Sequence, residues 1–110
     1  MANTYKNGKQ AAVGVTLTDV YTTPAATSSI VVGLCISNIL AENVFANVKV
    51  YDNSGADSVY LVKDAPIPIG GSLVVVGGDQ KLVLEASDKI QVQSDTAAAL
   101  DVFVSVLEVT

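Results

Sequence analysis

The fold class turns on Ser29-Ile30-Val31-Val32-Gly33-Leu34-Cys35-Ile36-Ser37-Asn38. Ile30, Val32, Leu34 and Ile36 share one parity, while Val31 and Cys35, with Ile39 just beyond, place apolar groups on the other. Alternation with β-branched residues on both parities describes a strand covered on both sides, and therefore a central one. Gly33, Ser37 and Asn38 interrupt the run, which is about half the ~20 apolar residues a membrane helix needs.

Working outward, the same period of two recurs with turn residues between the runs. Val13, Val15, Leu17, Asp19 and Tyr21 alternate with Gly14, Thr16, Thr18, Val20 and Thr22 until Thr23-Pro24 stops them. Val44, Ala46, Val48 and Val50 alternate with Phe45, Asn47, Lys49 and Tyr51; Asp52-Asn53-Ser54-Gly55 then turns the chain toward Val59 and Leu61, a hairpin. Ala65-Pro66-Ile67-Pro68-Ile69-Gly70-Gly71 belongs at a sheet edge or in a loop, because each proline removes a ladder donor. Leu73 to Val76, Lys81 to Glu85, Lys89 to Gln93 and Leu100 to Val109 complete the series, with Ala86-Ser87-Asp88 as a tight turn. About eight short strands and no helical stripe predict an all-β, single-domain antiparallel β-sandwich, jelly-roll-like in arrangement. Its core is expected to hold Ile30, Val32, Leu34, Ile36, Val48, Val50, Leu82, Leu84, Ile90, Val92, Val102 and Val104, which share a parity within each run.

The chain has 110 residues, 50% of them hydrophobic, enough for one domain with a core that needs no disulfide. Cys35 is the single cysteine, which suits a small buried hydrophobe in a reducing compartment. Residues 1–10 lack the continuous apolar core of a signal peptide, so neither a targeting nor a spanning segment is expected. Lys6 and Lys9 give residues 1–10 a charge of +2; the other hundred residues carry four lysines against eleven acids, or -7. This separates a polar N-terminal arm, residues 1–10, from a β-sandwich domain, residues 11–110. The arm is expected to be loose in the isolated chain and to bind a partner through Tyr5, Lys6 and Lys9, with an attraction that salt weakens.

Composition also narrows the chemistry. The net charge of -5 and the absence of arginine work against nucleic-acid binding. Without histidine, neither Cys35 nor any serine has the usual activating base, and the acids at Asp52, Asp57, Asp64, Asp79, Asp88 and Asp95 sit in or beside turns. No catalytic, cofactor-binding or metal residue is assigned, and the chain is read as a non-enzyme. Asp52-Asn53-Ser54-Gly55-Ala56-Asp57 has the oxygen-rich look of a calcium loop but lacks the second carboxylate spacing and the bidentate Glu. Gly70-Gly71 and Gly77-Gly78 lack the lysine, hydroxyl and helix of a phosphate loop and are read as bends.

Five stretches carry a likeness to a known family: Met1-Ala2-Asn3-Thr4-Tyr5-Lys6-Asn7; Leu17-Thr18-Asp19-Val20-Tyr21-Thr22-Thr23-Pro24-Ala25; Ser29-Ile30-Val31-Val32; Leu84-Glu85-Ala86-Ser87-Asp88-Lys89-Ile90-Gln91-Val92; and Leu100-Asp101-Val102-Phe103-Val104-Ser105-Val106-Leu107-Glu108. Together they resemble small virion structural proteins of tailed phages, especially those of aquatic and cyanobacterial hosts. In that family the turn before the Lys89 strand usually reads Gly-Asp, where this chain has Ser87-Asp88. The resemblance implies a β-sandwich particle component without catalytic residues, located in the virion. A capsid decoration or cement protein touching the major capsid protein is the expected role, with a neck, tail or fibre component as the alternative. A free carbohydrate-binding module is a third class, which would need an exposed aromatic platform that 5% aromatic residues make hard to assemble. Several runs are apolar on both parities, so Val31, Phe103, Leu107 and Val109 cannot all hide in one small sandwich. Self-association as a homotrimer is therefore expected.

Overall fold

A computed structural model describes residues 3–110. Among the described residues nine strands form: β1 Asn3–Val13, β2 Thr18–Thr22, β3 Ser28–Asn38, β4 Val44–Asp52, β5 Asp57–Ile67, β6 Ser72–Val76, β7 Leu82–Leu84, β8 Lys89–Ser94 and β9 Leu100–Val109. All pairings are antiparallel, and they divide into two sheets. Sheet A runs β1-β9-β3-β6, with β7 following β6 along the same edge of β3; sheet B runs β2-β8-β4-β5. The pairs nest around one hairpin tip: β4 with β5, then β3 with β6 and β7, β2 with β8, and β1 with β9. Successive pairs fall in opposite sheets, which is a long hairpin rolled into a jelly-roll sandwich.

Val31, Leu34 and Ile36 of β3 meet Val48, Ile90 and Val92 of sheet B in one apolar layer. Val102, Val104 and Val106 of β9 complete it from sheet A. Eight of the twelve expected core residues are buried: Leu34, Ile36, Val48, Leu84, Ile90, Val92, Val102 and Val104. Ile30, Val32, Val50 and Leu82 are only half-buried. For β3 the reason is a bulge against β9 between Val31 and Gly33, which reverses parity so that Val31 points inward with Leu34. A second bulge, between Asp19 and Tyr21 of β2, sets Tyr21 opposite inward-facing Ile90, beside buried Val20.

The N-terminal expectation needs a larger correction. Residues 3–10 are not a loose arm: Asn3 to Gln10 pair residue by residue with Val109 to Val102, so the sheet begins before the expected boundary at Ala11. β1 buries almost none of its own side chains, but β9 offers a row of backbone donors and acceptors that it satisfies. Gly8 shows how close the packing is, because a Cβ there would lie 2.9 Å from the Val20 carbonyl and 3.0 Å from Val104 Cγ1. Met1 and Ala2, the rest of that segment, lie outside the described residues. The expected single run from Val13 to Thr22 is instead broken between β1 and β2, leaving Val15 exposed.

The proline segment behaves as expected, since Pro66 lies on β5, the edge strand of sheet B. The second turn differs. Ala86-Ser87-Asp88 joins β7 in sheet A to β8 in sheet B, so it is a crossing between layers and not a hairpin within one. Asp88 fastens it by accepting the Asn53 amide on Oδ1 at 3.0 Å and the Glu85 amide on Oδ2 at 2.9 Å.

Candidate functional site

The two outer faces of the sandwich differ in chemistry. On sheet A, inward Val102, Val104 and Val106 leave Phe103, Ser105 and Leu107 of β9 pointing out. Register then assembles two apolar rows across the sheet. One row is Val83 of β7, Ile30 of β3, Leu107 of β9 and Tyr5 of β1; the other is Val74 of β6, Cys35, Phe103 and Lys9. Gly33, Ser105 and Asn7 lie between them. Val74 is 65% exposed, Val83 67%, Phe103 48% and Tyr5 79%. A shallow depression of about 250 Å³ opens beside Cys35 and Phe103, edged by Lys9, Ser37 and Asp101.

Sheet B turns a mainly polar lattice to solvent, with Phe45, 43% exposed and paired with Pro66, as an apolar spot toward one end. Lys49 and Lys63 stand over the Tyr60 ring at 4.8 and 5.0 Å from its centroid, and Lys89 lies 5.8 Å from that of Tyr51. Asp19 receives the Gln91 side-chain amide at 2.8 Å and pairs with Lys89 at 3.3 Å. The rings are thus engaged by ammonium groups, which leaves a poor platform for stacking a sugar.

The residues expected to bind a partner do not gather into a site. Tyr5 and Lys9 sit on the outer face of sheet A, and Lys6 takes the opposite parity of the same edge strand. All three are exposed. What sequence reasoning missed is the joining of Tyr5 and Lys9 to rows from β3, β6, β7 and β9. Only register brings them together.

Polar clusters elsewhere read as structural. Asp52, Glu85 and Asp88 bring carboxylate oxygens within 4.8 Å of one another, but both Asp88 oxygens are spent on backbone amides. In the Asp52–Asp57 turn, the Ser54 hydroxyl donates to Asp52 at 3.0 Å. Gly70 and Gly78 each take a positive φ, as bends require. Asp95 accepts the Phe45 amide at 3.0 Å, which holds its carboxyl below its usual range, opposite to the shift a general acid needs.

Between the sheets, the Tyr21 hydroxyl lies 2.6 Å from Ser29 Oγ and donates to Glu108 at 2.6 Å. Burial, reinforced by the Glu108 hydrogen bond, pushes the phenol up to about 12. The folded protein therefore keeps this proton after the unfolded chain has lost it, so the contribution is complete below pH ~10 and fades as pH rises toward 12. Tyr21→Phe is expected to cost about 1–2 kcal/mol in urea denaturation at pH 7. Ultraviolet titration of the wild type should show one of its four tyrosines ionising late.

No family model matches the chain, and no curated protein matches it.

Proposed function

We propose that this chain is a non-enzymatic structural protein of a phage virion, a decoration or cement protein that stabilises the head through protein–protein contacts. The observation that carries this reading is the contrast between the faces: apolar rows across sheet A, and a mainly polar lysine–tyrosine lattice across sheet B. Such a module is suited to being held by one face and wetted on the other. The resemblance of its strand and turn signatures to small phage virion proteins supports the particle context. In this reading β1 presents Lys6, on the parity opposite to Tyr5 and Lys9, along an open edge to an acidic surface of the major capsid protein. This lysine adds a modest, salt-sensitive attraction.

Copy number per purified particle, measured by quantitative mass spectrometry, is the test. Hundreds of copies support decoration of the head. A few copies favour the neck, tail or fibre alternative, and none overturns the reading. Because β1 is part of the sheet, its role is tested by point changes and not by deletion. Lys6→Ser should lower occupancy on particles lacking the protein and weaken its salt dependence; unchanged occupancy removes β1 as the anchor.

A further inference from the structure

We infer that the outer face of sheet A is an interface between two copies of this chain, packed face to face about a two-fold axis running across the strands. The inference deepens the assembly reading above by naming the surface and its occupant, and it can fail while a particle role stands. Four strands at about 4.8 Å spacing and the ten residues of β9 give a face of about 19 by 34 Å, or roughly 650 Å². A standard interface takes about 800 Å² from each partner, so this face, with its rims, is close to what a stable dimer needs.

The pattern on the face is self-complementary. An axis across the strands, through the Gly33–Ser105–Asn7 row, lays each apolar row over the other row of the partner. Phe103 then meets Leu107 of the partner subunit, Cys35 meets Ile30 of the partner subunit, and Val74 meets Val83 of the partner subunit. Lys9 and Asp101 are the only outward charged residues on these described strands, and both lie toward one end of the face. The same rotation sets Lys9 over the ring of Tyr5 of the partner subunit, a cation–π pairing at each end of the interface. An axis along the strands would instead put Lys9 over valine. Pairing the two open β1 edges would crowd two copies of Lys6 and Lys9 together, and lysines on an edge act against that association. A two-fold pair fits this face better than the trimer expected from sequence, because a face that complements itself closes with two copies.

The register can be read by cross-linking. Packed sheets lie about 10 Å apart, beyond disulfide reach for facing residues, so a short bismaleimide is the appropriate probe. Ile30→Cys should cross-link in high yield to native Cys35 of the partner subunit. Wild type should not, because the two Cys35 thiols would lie about 14 Å apart along the strands in addition to the gap between the sheets. Within one chain, positions 30 and 35 are also about 14 Å apart along β3, so a two-carbon spacer cannot join them. Sedimentation equilibrium supplies the second arm: Phe103→Glu should weaken association about tenfold or more, and Tyr60→Glu on sheet B should leave it unchanged, with circular dichroism confirming that both fold. Cross-linking of wild type through Cys35 alone, a trimer, a monomer at all concentrations, or a dimer indifferent to Phe103→Glu would each overturn the inference.

Discussion

Asn38→Asp is expected to lower stability by about 3–5 kcal/mol at neutral pH. Asn38 closes the far end of β3 and is only 7% exposed. Its two Nδ2 hydrogens are shared among the carbonyls of Glu42, Ile67 and Pro68 at 2.8, 3.0 and 3.2 Å, and Oδ1 accepts the Leu40 amide at 2.9 Å. One side chain thus ties sheet A to the end of β5 in sheet B. A carboxylate of the same shape would keep the Leu40 bond but turn a negative charge toward three carbonyl oxygens. The protein would resist that charge and hold the new carboxyl protonated, with a folded pKa above the unfolded ~3.9. Hence the penalty should be smallest near pH 4 and grow as pH rises, because the unfolded chain ionises freely and the folded one does not. Urea denaturation at pH 4, 5.5 and 7 reads this directly. Asn38→Ala, which creates no charge, should cost about 2–3 kcal/mol at every pH. A flat pH dependence for Asn38→Asp would contradict the buried carbonyl cluster.

Gly8→Val is the second large effect, at about 2–3 kcal/mol. The added Cβ would press on the backbone carbonyl of Val20, which cannot swing aside as a long side chain could. β1 or β2 must move, and the two new methyl groups would also meet Val104. Denaturation midpoints should fall, and amide exchange across residues 3–10 should rise far more than across β4. A substitution without effect would mean that these residues do not pack against β2 and would restore the loose arm expected from composition.

That contrast shows where sequence reading succeeds in this fold. The β4–β5 hairpin is legible because its turn chemistry and its alternation are local, and Pro66 marks an edge for a reason local to its own nitrogen. The core of β9 is legible because Val102, Val104 and Val106 alternate without a break. β1 is not legible, because its side chains are polar and its reason to be a strand is the backbone of β9, about a hundred residues away. The parity of β3 misleads at Ile30 and Val32 because valine and isoleucine suit either face, so nothing in the run betrays the bulge at Val31–Gly33. Asn38 reads as an interruption of an apolar run; its three carbonyl partners come from segments that meet only in the fold. The same holds for the rows on sheet A. Phe103, Cys35 and Val74 lie in three separate apolar runs of the chain and become one surface only through register.

Cover of this surface by a second copy would be read in the chemistry of Cys35. The thiol is half-buried in the middle of the Val74–Cys35–Phe103 row. The measurement is the rate at which a small maleimide labels wild-type protein across a wide range of protein concentration. A rate that falls as concentration rises, with Phe103→Glu labelled rapidly throughout, is the expected result. A wild-type rate that is the same at every concentration, and equal to that of Phe103→Glu, would contradict it.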